Sequence, residues 1–127
     1  MQADIAGLQR KVVSSRVVPA RISDGESGLA LKNGRTLPFV VTRSWSAPAG
    51  HYDEAWYLVD PSTREVLYEH LSGEVRVWGL QSWTDFTDTI TEPIPLIAGT
   101  YLFVFALGGV KGGETTVPAA PALGSAA

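Results

Sequence analysis

Residues with the potential for acid–base or metal chemistry gather at His51-Tyr52-Asp53-Glu54, an imidazole beside two carboxylates. On an extended strand His51 and Asp53 share one face and Glu54 points to the other. A metal or catalytic site here would therefore need another ligand from a distant part of the chain. Charged clusters beside turns are more often solvated, so an enzyme built on these residues is the lowest-ranked hypothesis.

Other catalytic or cofactor motifs are weak or absent. Asp85-Phe86-Thr87-Asp88 with Glu92 offers oxygen ligands suited to calcium but lacks the ordered acidic loop of a specific calcium motif. The glycine-rich run 108–113 lacks the Gly-Lys-Ser/Thr ending of a phosphate loop, and no Gly-x-Ser-x-Gly elbow occurs. Zero cysteines exclude thiol nucleophiles and Cys-ligated metals. We predict a non-catalytic protein without a cofactor or metal.

Aromatic side chains are the feature that most suggests binding. Four tryptophans and four tyrosines occur in 127 residues. Exposed rings near strand ends can stack on sugar faces or anchor a protein interface, although most rings of this size fill cores. The candidate ligand or interface residues are Trp45, Tyr52, Asp53, Trp78 and Trp83.

Composition indicates a globular chain with opposite charge in its two sections. Residues 1–43 hold seven basic and three acidic side chains, while the whole chain carries a net charge of −3. Such asymmetry can support association, or the two sections can simply neighbour each other. Scattered basic residues argue against nucleic acid, and no apolar run is long enough to span a bilayer. No secretory signal is visible, and cysteine absence fits a cytoplasmic or intracellularly assembled protein.

The clearest structural prediction is a hairpin over residues 55–69. Trp56, Leu58, Val66 and Tyr68 alternate along two short runs and are expected to face the core. Asp60-Pro61-Ser62-Thr63 supplies the turn between them, because proline presets φ and the aspartate can accept backbone hydrogen bonds. Asp60 is therefore interpreted as a turn residue.

Further strands follow from similar signals. Asn33-Gly34 between apolar runs predicts a second hairpin with a type I′ turn, and Thr100 to Leu107 is apolar enough for a central strand. Residues 79–84 have helical spacing over about one turn only. Strand 85–90 would place Phe86, Asp88 and Ile90 on one side, an unusual position for an aspartate.

About eight short strands and no long amphipathic helix indicate a single all-β domain, an antiparallel β-sandwich of immunoglobulin-like or jelly-roll-like type. Ala98-Gly99-Thr100-Tyr101 resembles the corner of many such modules, where a tyrosine bonds back to the backbone. The predicted organisation is an N-terminal arm or short helix over 1–10, the β-sandwich over 11–117, and a flexible Ala/Pro-rich tail over 118–127.

Two functional hypotheses follow. The first is a structural or interaction module that acts as a subunit of a homo-oligomer or of a larger assembly, such as a viral or other particle. It is suggested because the sequence has no specific catalytic or cofactor motif and because both predicted terminal segments extend beyond the domain. The second is a carbohydrate-binding module with Trp45, Tyr52 and Trp83 as stacking platforms and Asp53 or Glu54 bonding hydroxyls.

Overall fold

The computed structural model of the protein describes residues 14–17 and 28–122, and every regular element in these ranges is a strand. The all-β prediction is therefore confirmed for this part of the chain. The strands are β1 (Ser14–Val17), β2 (Leu29–Lys32), β3 (Arg35–Thr36), β4 (Phe39–Ser46), β5 (Gly50–Val59), β6 (Val66–Val77), β7 (Thr84–Ile90), β8 (Gly99–Leu107) and β9 (Val110–Pro121).

The strands form two sheets that share one apolar core. A three-stranded sheet has the order β1-β4-β7, and a six-stranded sheet has the order β3-β2-β9-β8-β5-β6. All pairs are antiparallel except β2 with β9, where Leu29 lies beside Ala119. Phe39 and Val41 of the smaller sheet and Phe103 and Phe105 of the larger sheet belong to the same buried cluster. The alternation of apolar residues on strands from both sheets produces this core.

The predicted central hairpin is present as β5 and β6, with Asp60 in its turn. Its carboxylate accepts hydrogen bonds from the backbone N–H groups of Ser62 and Thr63 at 2.8 and 3.3 Å. The second predicted turn is also confirmed, because Asn33 and Gly34 both have positive φ between paired strands β2 and β3. The two central residues of a type I′ turn require positive φ, and Asn33 and Gly34 occupy these two positions.

The prediction for Val66 was wrong: its side chain is 53% exposed instead of buried. Leu58 pairs with Tyr68 and the next residue, Val59, pairs with Val66, so Leu67 is an extra residue in β6. This β-bulge reverses the alternation of faces at the start of β6. The neighbouring Leu67 packs against the core.

The predicted central strand is confirmed as β8, which pairs with β5 on one side and β9 on the other. Tyr101 donates a hydrogen bond from its hydroxyl to the carbonyl of Ile97 at 2.6 Å, the contact expected at this corner. Residues 78–83 form an irregular connection from β6 to β7 and contain no helix. Within the described ranges no helix is long and apolar enough to cross a membrane.

The terminal predictions meet the structure only in part. Strand β9 continues to Pro121, so the first residues of the predicted tail belong to a sheet, and Ala119 is 4% exposed. The pairing of β9 with β2 explains why residues up to Pro121 form a strand, because it buries Ala119 beside Leu29. The predicted arm over 1–10 and the end of the tail over 123–127 lie outside the described residues.

Close packing of Trp45 on the backbone of β9 generates a first prediction. A Cβ atom at position 112 would lie 2.2 Å from Cζ3 of Trp45, whose side chain is fully buried. We expect Gly112→Ala to lower the free energy of unfolding by about 1–3 kcal/mol, because a packed indole must move. Urea denaturation, monitored by tryptophan fluorescence, measures the change in the free energy of unfolding.

Gly99→Ala is the matched control, because no atom lies within 4 Å of a Cβ at position 99. We expect its free energy of unfolding to stay within about 0.5 kcal/mol of the parent protein. Equal decreases in the free energy of unfolding for the two substitutions would show that packing against Trp45 is not what makes a side chain at position 112 unfavourable.

Candidate functional site

A charged side chain occupies an inward-facing position of β4. Phe39, Val41, Arg43 and Trp45 alternate along this strand, and all four are buried. Arg43 therefore enters the core between two apolar neighbours and is 2% exposed. A guanidinium removed from water must find charged or polar partners, because an unpaired buried charge is strongly unfavourable.

Two carboxylates supply those partners. Glu54 of β5 accepts from Nε of Arg43 at 2.8 Å and from Nη2 through its other oxygen. Asp88 of β7 accepts from Nη1 at 2.7 Å, and Ser72 Oγ lies 3.3 Å from Nη2. The two-point contact between a guanidinium and a carboxylate matches the planar geometry of both groups. Arg43 thus joins the three-stranded sheet to the six-stranded sheet.

Indole and imidazole groups complete what we call the inter-sheet polar cluster, formed by Arg43, Glu54, Asp88 and His70 with the Trp45 and Trp56 indoles. Trp45 Nε1 donates to Glu54 at 2.5 Å, and Trp56 Nε1 donates to Asp88 at 3.3 Å. His70 Nε2 lies 3.3 Å from Asp88, and its ring stacks on Trp56 with the ring centroids 5.0 Å apart. The Asp88 side chain is 27% exposed, so the cluster reaches the surface there.

The electrostatics of the cluster favour a charged Arg43. Burial lowers its pKa, but the hydrogen bonds and charges of Glu54 and Asp88 outweigh this effect and hold the pKa above its usual value. No buried side-chain nitrogen or oxygen in the described ranges lacks a hydrogen-bond partner. The cluster therefore uses its donors and acceptors internally, which is the behaviour of a structural network.

The residues considered for acid–base chemistry point to opposite faces of β5. Glu54 turns inward to Arg43, whereas His51 is exposed and lies 3.5 Å from Glu74. The carboxylates considered as oxygen ligands for calcium are also separated: Asp85 accepts from Ser44, Asp88 binds Arg43, and Glu92 accepts from Tyr68. Across residues 14–17 and 28–122, no group of three or more His, Asp or Glu side chains is placed to hold a metal.

Three predicted ligand-binding residues lie on or near β5, in different environments. Trp45 is 0% exposed, so its ring offers no surface for a sugar or a partner. Tyr52 is half-buried; its hydroxyl donates to the carbonyl of Pro48 at 2.6 Å, and burial raises the pKa of its phenol. Asp53 is exposed on the opposite face of the strand. These three residues do not form one binding surface.

Trp78 and Trp83 lie on the connection between β6 and β7, and they are 61% and 39% exposed. The Arg76 guanidinium lies 4.3 Å from the centre of the Trp78 ring, in cation–π geometry. The base of the connection is fixed, because the backbone N–H of Trp78 donates to Thr84 Oγ1 at 3.1 Å. We use the name apolar edge strip for the exposed side chains of this part of the chain: Val66, Leu71, Trp78, Leu80 and Trp83.

A groove of about 630 Å³ crosses the outer face of the six-stranded sheet and shares Leu71 with the apolar edge strip. Ala55 and Ala106 are adjacent across β5 and β8, and their small side chains leave space above the sheet. Tyr57 and Asp53 line the same groove from β5. The groove therefore combines one half-buried aromatic ring with one exposed carboxylate.

Comparison with known proteins establishes a shared fold and no family. No protein-family model and no curated protein matches the sequence. A mutant β-glucosidase from Listeria innocua, solved with laminaribiose, is similar at a TM-score of 0.52 and 13% identity over 85% of this chain. The chain spans only 16% of that enzyme's length, so the likeness concerns the fold of one part of it.

The sensor domain of the anti-sigma factor RsgI4 from Pseudobacteroides cellulosolvens is also similar, with a TM-score of 0.46 and 12% identity. The match covers 91% of this chain and 96% of the sensor domain. A TM-score below 0.5 is too low to establish a common fold.

Removing the guanidinium tests the structural role of the inter-sheet polar cluster. We expect Arg43→Met to lower the free energy of unfolding by about 3–5 kcal/mol, because it leaves the buried Glu54 carboxylate without its cation. Adding Glu54→Leu to the same protein should recover part of that loss. Urea denaturation of both variants measures the effect.

Lys111→Met is the matched control, since Lys111 forms an exposed ion pair with Glu114. The free energy of unfolding of this variant should fall by at most about 1 kcal/mol. An Arg43→Met protein as stable as this control would contradict the assigned role.

Proposed function

We propose that this domain is a non-catalytic subunit that associates with a second copy of itself through the edge of β6 and the connection that follows. One observation carries the proposal: of the six large apolar side chains exposed in the described residues, five form the apolar edge strip between positions 66 and 83. The sixth, Ile97, lies on the connection between β7 and β8. Exposed apolar side chains that are concentrated along one edge strand and the connection after it are typical of a protein–protein interface.

The backbone of β6 supports the same surface. β6 is twelve residues long and is the last strand of the six-stranded sheet, where it pairs with β5 alone among the strands described. The opposite side of an edge strand presents N–H and C=O groups that can pair with another strand. Main-chain pairing can thus add to the contacts of the apolar side chains.

The side chains of the strip are suited to an interface. Tryptophan and arginine dominate the binding energy of protein interfaces, and here Arg76 is already stacked on Trp78. Trp78, Leu80 and Trp83 lie within six residues on a connection whose ends are held by β6 and β7. Ser46 Oγ also donates to the carbonyl of Leu80 at 3.4 Å. The connection therefore presents its apolar side chains from a supported backbone.

Self-association is tested by the molar mass of the full chain in solution. We expect a species of twice the 13.6 kDa chain mass by size-exclusion chromatography with light scattering across a concentration series. Trp78→Ala combined with Leu80→Ala should weaken the dimer at least about tenfold, because each removes a large apolar contact.

Ile97→Ala removes a side chain that is 81% exposed outside the strip, and it should leave the dissociation constant unchanged. A full chain that stays monomeric at every concentration would refute self-association. Equal weakening by Ile97→Ala would show that the strip is not the surface involved.

A second candidate function, carbohydrate binding, is supported by the groove on the outer face of the six-stranded sheet. Tyr57 and Asp53 are four residues apart on β5, about 13 Å at the rise of a strand, which suits a short saccharide. An aromatic ring can stack on the apolar face of a pyranose while a carboxylate accepts hydrogen bonds from its hydroxyls. This site differs from the platforms predicted at Trp45, Tyr52 and Trp83.

The groove is tested by affinity electrophoresis in gels that contain soluble polysaccharides. Tyr57→Ala should abolish any retardation of the protein, because the stacking ring is lost, and Tyr57→Phe should keep it. Absence of retardation for the parent protein on a broad panel, or its persistence in Tyr57→Ala, would rule out this site.

A further inference from the structure

We propose that two copies associate by antiparallel pairing of their β6 strands around a two-fold axis that passes between Ser72 and Gly73. In this arrangement Glu69 of each copy lies opposite Arg76 of the other. The inference rests on the self-association proposed above and adds its geometry. Three features of β6 support it: a bulge at its centre, the charges that the bulge brings to one face, and the exposed apolar residues at its ends.

The bulge lies at Ser72. Ala55 of β5 pairs with Leu71, and the preceding residue, Glu54, pairs with Gly73, so Ser72 is an extra residue in β6. An extra residue reverses the alternation of faces along the bulged strand. The outward side chains are therefore Glu69 and Leu71 before the bulge and Glu74 and Arg76 after it, as their pairing with outward residues of β5 requires.

Symmetry limits how two such strands can pair. A two-fold axis perpendicular to the sheet keeps outward side chains outward, and directly opposed residues of antiparallel strands must share a face. Outward residues that precede the bulge in one copy must then pair with outward residues that follow the bulge in the other copy. Pairing of Glu69 with Arg76 meets this condition and also places Leu71 opposite Glu74.

Charge distinguishes this register from its neighbours. A shift by two residues in one direction places Glu69 opposite Glu74, which brings like charges together twice across the axis. A shift by two residues in the other direction places Glu69 opposite Trp78 and Leu71 opposite Arg76, so no outward charge of either copy lies opposite a counter-ion. The register centred on the bulge is therefore the one with two opposite-charge pairs.

The same register brings exposed apolar side chains together at both ends of the paired strands. Trp78 follows β6 directly on its outer face, and in this register the nearest outward side chain of the second copy is Val66, because Leu67 packs against the core. Val66 is 53% exposed and Trp78 is 61% exposed. Burial of these side chains between the copies would remove apolar surface from water, which favours association.

Charge reversal tests the register. Glu69→Arg and Arg76→Glu should each raise the dimer dissociation constant about tenfold or more, because each converts two attractive contacts into two repulsive ones. The double variant Glu69→Arg with Arg76→Glu restores opposite charges and should return the constant to within about threefold of the parent. Sedimentation equilibrium measures all three constants, and circular dichroism confirms that each variant is folded.

Lys111→Glu is the matched control, because it reverses an exposed charge on β9, which is separated from β6 by β8 and β5. It should leave the dissociation constant unchanged. A parent protein that dimerises while both single reversals behave like Lys111→Glu would overturn the register and leave self-association standing. A parent protein that never dimerises would overturn both proposals.

Disulfide trapping gives an independent test, and the chain offers no background because it has no cysteine. A mixture of Glu69→Cys and Arg76→Cys proteins under mild oxidation should yield a covalent heterodimer, because the two positions are directly opposed. Neither protein alone should crosslink, because positions 69 of the two copies would be about 23 Å apart along the strands. Crosslinking of either protein alone to the same extent as the mixture would contradict the register.

Discussion

The ion pair between Arg43 and Glu54 is the constraint on which the rest of the interior depends. Its two members belong to different sheets, and neither side chain is more than 1% exposed. Removing two charges from water is unfavourable unless their geometry is good and their remaining donors and acceptors are satisfied. The Trp45 indole supplies a further donor to Glu54, and Asp88 supplies a further acceptor to Arg43. These demands hold β4, β5 and β7 in one arrangement, because a shift of any of the three would leave a charge unpaired.

Much of the fold follows from local sequence. The alternation of large apolar residues and the turn residues Asp60 and Asn33-Gly34 predicted two hairpins that the structure contains. The exposure of Val66 was not predictable in this way, because a bulge is a property of two paired strands and not of either sequence alone. The order in β9 up to Pro121 also depends on pairing with β2, which is distant in sequence.

The inter-sheet polar cluster left a partial signal in the sequence. Asp88 occupies an apolar-face position of β7, and Arg43 does the same between Val41 and Trp45 in β4. A charge at such a position implies a buried partner, because isolated charges are not tolerated in a core. The sequence alone could not identify Glu54 as the partner of Arg43, since Glu54 belongs to another sheet. Its position near His51 also suggested an acid–base role. Only the packing of the two sheets decides between the two assignments.

The bulge at Ser72 links the interior to the proposed interface. Inside, it lies where Ser72 Oγ accepts from Arg43 at 3.3 Å, so the extra residue contributes to the inter-sheet polar cluster. Outside, it sets Glu69 and Arg76 on the same face of an edge strand, although seven positions separate them and regular alternation would place them on opposite faces. A deletion that removed the bulge would disturb the cluster and would also turn Arg76 away from the outer face. The burial of Arg43 and the charge pattern of the β6 edge are therefore consequences of the same local irregularity.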